Sequence, residues 1–358
     1  MVKAAHYFIR SLLVVAWIGI IYSFLMLPAW LPTNTVPVKS LRIYTWAYRI
    51  DENIVREFEQ KTGIKVFLNY YESGEELLTK LEMMPTLDYD ILLPSGFMMQ
   101  RIIDLNLAKK IDKQRCSFLK KIYPEFLDMY FDPQNQYSIP LYWDVFGIGY
   151  NARMVQGPIT LDLLFNKKSM VGSSVGMVDD SREAIFMAAQ YLGIPLVGSF
   201  TPEQIQKIYA LLYEQRHWVG AYSDSQQGYY LASDTFAVVA ADREIIRRQA
   251  IKTDFVQFAL IPQGSMLRID NIVVSATTQK DDMIYQFLNY LMSDEVMLHH
   301  ATTFGVLPVT KTVFKQIQDC IGLPDLYPGS DSFNKLVVFQ HGLTQKQLND
   351  FWVQYKSS

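Results

Sequence analysis

Leu-Arg-Ile-Tyr-Thr-Trp, residues 41 to 46, alternates as a strand, and the segments after it set the architecture. Asp51 can cap a helix whose Ile54, Val55 and Phe58 share one face, and Gly63 stands where the helix has to stop in a left-handed conformation. Residues 64 to 70 read as a second strand. Ser73 with Glu76 makes a capping box ahead of Leu77, Leu78 and Leu81, and residues 89 to 93 form an almost unbroken apolar strand. This β-α-β-α-β order predicts a parallel sheet covered on both faces, with any ligand beyond the carboxyl ends of the strands.

The alternation restarts downstream. Residues 173 to 178 read as a strand and 181 to 192 as a helix ended by Gly193. Thr201-Pro-Glu-Gln204 is a second capping box, opening a helix through Leu212. Residues 236 to 240 and 255 to 261 read as further strands. Two α/β units of similar size predict two lobes. The strand-like stretch 137 to 151 is one bridge between them, and the Gly-containing turn within 262 to 270 marks a second. We therefore assign 1–37 to a leader or anchor with its linker, 38–148 and 268–313 to lobe 1, and 149–267 and 314–358 to lobe 2.

The N-terminus carries Lys3, His6 and Arg10 ahead of an uncharged run from Ser11 to Leu27. A secretory signal peptide and an uncleaved single-span anchor both fit this pattern. The run is longer than most secretory cores and no Ala-x-Ala site follows it, whereas a span needs about 20 apolar residues. In either case the basic end stays in the cytoplasm and the remainder faces outward, to the periplasm or anchored at the inner membrane.

The chain has 358 residues, half of them hydrophobic, with 33 Lys and Arg against 36 Asp and Glu. Two of those cations and no acid lie in the first 38 residues, which leaves 31 against 36 for the remainder. A mildly acidic body lacks the basic footprint of a nucleic-acid binder and leaves room for a cationic ligand. Cys116 and Cys320 lie far apart in sequence, and their pairing stays open. The five histidines have no zinc-site spacing, so no metal and no cofactor is expected.

Gly172-Ser-Ser174-Val-Gly176 fits the serine-hydrolase pattern, but that pattern needs a strand just before the serine and a helix just after it. Here the apolar run continues through Val178, so Ser174 reads as a strand entry, and a hydrolase using it is the third of the readings the sequence leaves. In Asp179-Asp-Ser-Arg-Glu183, Asp180 suits an N-cap with Glu183 completing the first turn. A helix start at a strand's carboxyl end also aims both carboxylates into a cleft. Trp46 and Phe97, each just after a strand, are candidates to line it.

At these residues the chain resembles the periplasmic spermidine/putrescine-binding proteins that feed ABC importers. The resemblance covers nearly all of the chain from Leu41. It rests on Tyr44-Thr-Trp46, Gly63-Ile-Lys-Val66, Tyr71-Glu-Ser73, Tyr89-Asp90 with Leu93-Pro-Ser95, Lys110-Ile-Asp112, Phe131-Asp-Pro133, Tyr137-Ser-Ile-Pro140, Gly147-Ile-Gly-Tyr-Asn151 and the 179–183 segment, in that order. It implies an α/β fold of the two-lobe type II periplasmic binding class with an interlobe ligand cleft. It also implies no catalysis, a polyamine ligand (spermidine or putrescine), and ABC permease transmembrane subunits with a cytoplasmic ATPase as partners. An anchored sensor or an adhesion and assembly protein reusing the fold is the alternative.

Each ammonium of a polyamine brings donors and no acceptor, so a dry cleft needs a carboxylate beside each charge and aromatic faces along the methylenes. Carried over by position, the resemblance puts the acids at Asp180, Glu183 and Asp270, the first-lobe aromatics at Trp46 and Phe97 with Ser95 beside the latter, and a glutamine at Gln340. The chain departs from the pattern in having Tyr48 and Arg49 shortly after Trp46, Ala240 on the second lobe, and Arg268 two residues before Asp270. Asp242, Glu244 or Asp144 are candidates for a missing carboxylate. Because the three acids remain, we expect Arg49 and Arg268 to turn away from the cleft, leaving Trp46, Tyr48 and Phe97 as its wall.

Overall fold

A computed structural model describes residues 15–23, 39–72, 74–83, 89–169, 175–318, 325–341 and 343–357. Ser73, Ser174 and Cys320 lie outside these residues, so the first capping box, the candidate serine and one partner of any disulfide do too. Cys116 is a buried free thiol. Residues 15–23 are helical, and among the described residues no helix is long and apolar enough to cross a membrane. Residues 1–39 and 40–358 form two separate units, of which the second carries the fold.

The opening units form as their residues dictate. Strand β1 (Ser40–Thr45) is followed by helix α1 (Glu52–Thr62), which is capped by the Asp51 carboxylate on the Asn53 amide and closed by Gly63 at φ 71°. Strand β2 (Lys65–Tyr70) pairs parallel to β1. Helix α2 (Gly74–Met83), strand β3 (Ile91–Leu92) and helix α3 (Gly96–Asp104) complete the first unit. Strand β3 is shorter than its apolar run, because Tyr89 and Leu93 are buried as flanks of the strand.

Strand β4 runs unbroken from Ser138 to Asn151 and is buried along almost its whole length. Beyond it come β5 (Val175–Met177), α4 (Ser181–Tyr191), α5 (Pro202–Gln215) with both halves of the Thr201–Gln204 capping box formed, β6 (Val219–Tyr222) and β7 (Val238–Asp242). Then follow α6 (Arg243–Ala250), β8 (Val256–Ala259), β9 (Met266–Val274) and, later, α7 (Asp294–Phe304). Ten strands join in one sheet: eight follow the hydrogen-bonded path β2-β1-β3-β9-β4-β7-β5-β6, and β8 and the Leu307–Pro308 strand pair off β4.

The two halves of this path share β4 and β9. The first part of β4 pairs antiparallel with β9, from Ser138 opposite Val273 to Phe146 opposite Met266. Its second part pairs with β7, starting where Phe146 faces Asp242. The apolar faces divide at the same place. Leu41, Ile43, Phe58, Trp143 and Val145 belong to one buried cluster, whereas Phe146, Ile148, Phe186 and Leu212 belong to another. Phe314, Ile317, Leu326 and Phe333 pack into the first cluster, and Phe339, Leu348 and Tyr355 into the second. The last crossing therefore lies past Phe333, later than the boundary at 313 expected from the sequence, because an apolar face goes where its packing partners are. Gly147 is required where β4 itself crosses from one cluster to the other: a Cβ there would lie 2.8 Å from the Ala259 carbonyl oxygen.

Trp143 is held by Phe126, Phe314 and Phe333 and donates its indole N–H to the Pro308 carbonyl at 3.2 Å. Truncating such a residue leaves a cavity and an unmatched carbonyl. We expect Trp143→Ala to lower unfolding free energy by about 3 to 5 kcal/mol in urea titrations.

Candidate functional site

The cleft lies where the carboxyl ends of β1 and β3 meet the start of α4 and the end of β7, across the shared strands β4 and β9. Asp180 is the N-cap of α4, accepting from the Arg182 and Glu183 amides at 2.7 and 3.0 Å, so the local reading of this acid holds. Two other N-cap residues behave differently. Neither Ser95, ahead of α3, nor Asp242, ahead of α6, caps its helix with its side chain. The Ser95 hydroxyl instead donates to Asp270 at 2.8 Å, while Asp242 accepts from Arg268 at 2.7 Å. The duty left open at α6 falls to Asp144 of β4, whose carboxylate accepts from the Glu244 amide at 2.8 Å and pairs with buried Arg243 at 2.9 Å.

Arg49 and Arg268 do not turn away. Left-handed Tyr48, at φ 61°, turns the chain after β1 so that the Arg49 side chain enters the cleft. Its Nε donates to Asp270 at 2.6 Å, and one Nη donates to both oxygens of Glu244 at 3.1 Å. Arg268 lies on β9, two residues before Asp270 and on the same face. A single Nη reaches Glu183 at 2.5 Å and Asp242 at 2.7 Å. The expectation of outward guanidiniums is overturned by a plain physical demand: acids buried this deeply need cations, and these two are within reach.

The structure brings together Ser95, Phe97, Asp180, Glu183, Arg268 and Phe339 around one cavity of about 50 Å³. Arg49, Asp144, Asp242, Glu244 and Asp270 surround a second of about 10 Å³. At roughly 10 to 15 Å³ per water centre these hold on the order of four waters and one water. A multi-carbon ligand therefore enters only if the halves part or the guanidiniums move. Phe97 faces this space under the Arg182 guanidinium, 3.7 Å from its ring centre. Trp46 sits further back, 4.4 Å from Tyr71 between ring centres. Tyr48 is exposed beneath Arg248. Val338 and Phe339 line the larger cavity, whereas Gln340 pairs along its backbone with the Val197 strand. Arg182 and Arg248, which cover the aromatic faces, had no sequence signal beyond their places on α4 and α6.

The electrostatics follow from this crowding. Burial pushes the Asp242 carboxyl up to about 7; the Arg268 charge opposes this, and Asp144 and Glu244 add to it. Burial likewise raises Glu183 well above the usual range against the pull of Arg268. Burial also raises Asp224, to about 6. Arg49 is held more firmly protonated by Glu244 and Asp270 although burial works against its charge. The Oδ1 of Asp242 is buried with no hydrogen-bond partner among the described residues.

Two half-sheets sharing their central strands around a charged, aromatic-walled cleft define a two-lobe ligand-binding protein. Residues 53–323 match the family described as bacterial extracellular solute-binding protein, and the chain belongs to it. It is 25% identical over 300 residues, 83% of this chain and 85% of the relative, to the spermidine/putrescine-binding periplasmic protein of Salmonella typhimurium. It is 24% identical to a putrescine/cadaverine-binding protein of Pseudomonas aeruginosa, with 89% and 94% covered. Among solved structures, the spermidine/putrescine ABC transporter substrate-binding protein of Streptococcus pneumoniae superposes with a TM-score of 0.74 at 26% identity, covering 89% of this chain and 99% of that one.

An acid whose proton is held more tightly on folding stabilises the fold fully below its unfolded value near 3.8 and loses that contribution as pH rises through about 7. Wild-type melting temperature should therefore fall across this window more steeply than that of Asp242→Asn. Parallel melting curves would remove Asp242 from this role.

Proposed function

We propose that this protein is the extracytoplasmic solute-binding subunit of an ABC importer. It captures a polyamine between its lobes in the periplasm and delivers it to permease subunits driven by a cytoplasmic ATPase. Family membership supports the transport role, and the named specificities of the relatives support the ligand class. The observation that carries the reading is the convergence of Asp180, Glu183, Asp242 and Asp270 on one cleft beside Phe97 and Ser95. Four carboxylates brought this close have no use for an anion, and they offer acceptors to ammonium groups.

In this reading Asp270 and Asp242 take the ammonium groups with Glu183 and Asp180, Phe97 covers methylenes, and Trp46, Tyr48 and Gln340 lie at the margins. The lobes are approximately 38–148 with 268–313 and the remainder of the folded unit, adjusted for the late crossing beyond Phe333. They move about the shared strands near residues 142–148 and Arg268, as hinged binding proteins do. No reaction is catalysed.

Calorimetry on the full-length chain should show binding of putrescine or spermidine with the amine recovered unchanged. Charge-assisted hydrogen bonds contribute roughly 1.5 to 3 kcal/mol each, so Asp270→Asn should weaken that binding by about one to two decades. Small-angle scattering should show a smaller radius of gyration at saturation. Wild-type affinity in Asp270→Asn, or no binding of either amine, would sink the reading.

A further inference from the structure

The inner cleft has more carboxylates than guanidiniums. Arg49 stands between Asp270 and Glu244, Arg248 also reaches Glu244 at 3.2 Å, and Arg268 stands between Glu183 and Asp242, so three guanidiniums serve four carboxylates. The charges around this group offset one another only in part. Arg243 closes on Asp144. Toward the rim, Arg182 over Phe97 stands against two further acids, Asp180 and Asp224, whose charges both act on Glu183. With every acid ionised, seven carboxylates of the cleft thus face five guanidiniums, and the cleft is short of positive charge by two.

We propose that Arg49 and Arg268 are specificity-determining residues: by cancelling two of the cleft's carboxylate charges and leaving an excess of two, they set the cleft to admit an amine with two ammonium groups and to discriminate against one with three. This rests on the amine-binding reading above and adds to it the charge count and the residues that set it.

The physical reason is local. An ammonium leaving water needs a carboxylate in place of its hydration shell, and two such equivalents remain once the guanidiniums have taken theirs. The buried Oδ1 of Asp242 is one acceptor they leave open. A third ammonium would lie against Arg49 or Arg268 with no carboxylate of its own, and like charges in a poorly solvated site repel far more strongly than in water. A ligand carrying its own carboxylate would worsen the excess of negative charge. The small cavities act in the same direction, since a shorter chain displaces less.

The test is calorimetric titration of the full-length protein with 1,4-diaminobutane, spermidine and an ω-amino acid. It is run at about pH 8, above the value near 7 to which Asp242 is pushed, so that Asp242 is ionised. The wild type should bind the diamine about tenfold or more tightly than the triamine, and the amino acid least. Arg268→Gln raises the deficit to three and should shift the affinity ratio toward spermidine by about tenfold, and Arg49→Gln should do the same from the opposite wall. Arg268→Lys keeps the charge and loses the planar fork, so it should weaken both amines without moving their ratio. Circular dichroism establishes folding of each variant, and the wild-type ratio decides the question even if a variant does not fold. Equal or tighter binding of spermidine by the wild type overturns the inference while leaving the amine reading intact. So does a folded Arg→Gln variant with an unchanged ratio. Binding of no amine removes the amine reading itself and this inference with it.

Discussion

The constraint on which the cleft depends is that charge taken out of water must be matched. Glu183, Asp242, Glu244 and Asp270 converge because strand ends and helix starts from both halves of the sheet meet there, and their burial makes unpaired ionisation costly. Two responses are visible. Arg49 and Arg268 enter and bridge pairs of acids, and the carboxyls of Asp242 and Glu183 are displaced toward protonation. Both relieve the same excess. A diffusible cation would relieve it as well, which connects the stability of this cleft with ligand binding.

The bridges also span the seam between the two hydrophobic clusters. Arg49 follows β1, packed on the first cluster, and reaches Glu244 at the head of α6, which packs with the second half. Arg268 sits on a shared strand and reaches Glu183 on α4. Buried ion pairs add little net stability because desolvation offsets most of their attraction, whereas removing one partner is strongly destabilising. Their main effect is therefore positional: they fix how the halves meet. The shared strands supply the backbone continuity between the two cores.

Much of the fold was legible because it is local. Asp51, Gly63, Asp180 and the Thr201–Gln204 box each act within a turn or two of themselves, and the structure forms them as the sequence predicts. The unbroken strand over residues 138–151 was equally plain from its apolar run. Packing choices between distant segments were not. Nothing near residue 313 says that Phe333, twenty residues later, returns to Phe126 and Trp143. Asp180 and Glu183 were singled out by their place at a helix start, and Asp270 by the resemblance alone. Trp46 packs on Tyr71, and a position after a strand does not determine which way a side chain turns.

The two arginines divide along the same line. Arg268 and Asp270 are two apart on a strand, and the irregularity in β9 falls after Asp270, so alternation alone places them on one face. Its inward orientation was therefore readable, and the expectation failed by weighing ligand chemistry above strand geometry. Arg49 offers no such handle. It follows a left-handed tyrosine in a loop, where side-chain direction depends on a backbone angle that sequence does not specify. The relevant question at such a site is how many charges of each sign the fold brings within reach, because in a small, poorly solvated space the sum decides what else can enter. Here that sum depends on one residue whose direction was legible and one whose direction was not, so a count of acids alone describes a more anionic cleft than the one the chain builds.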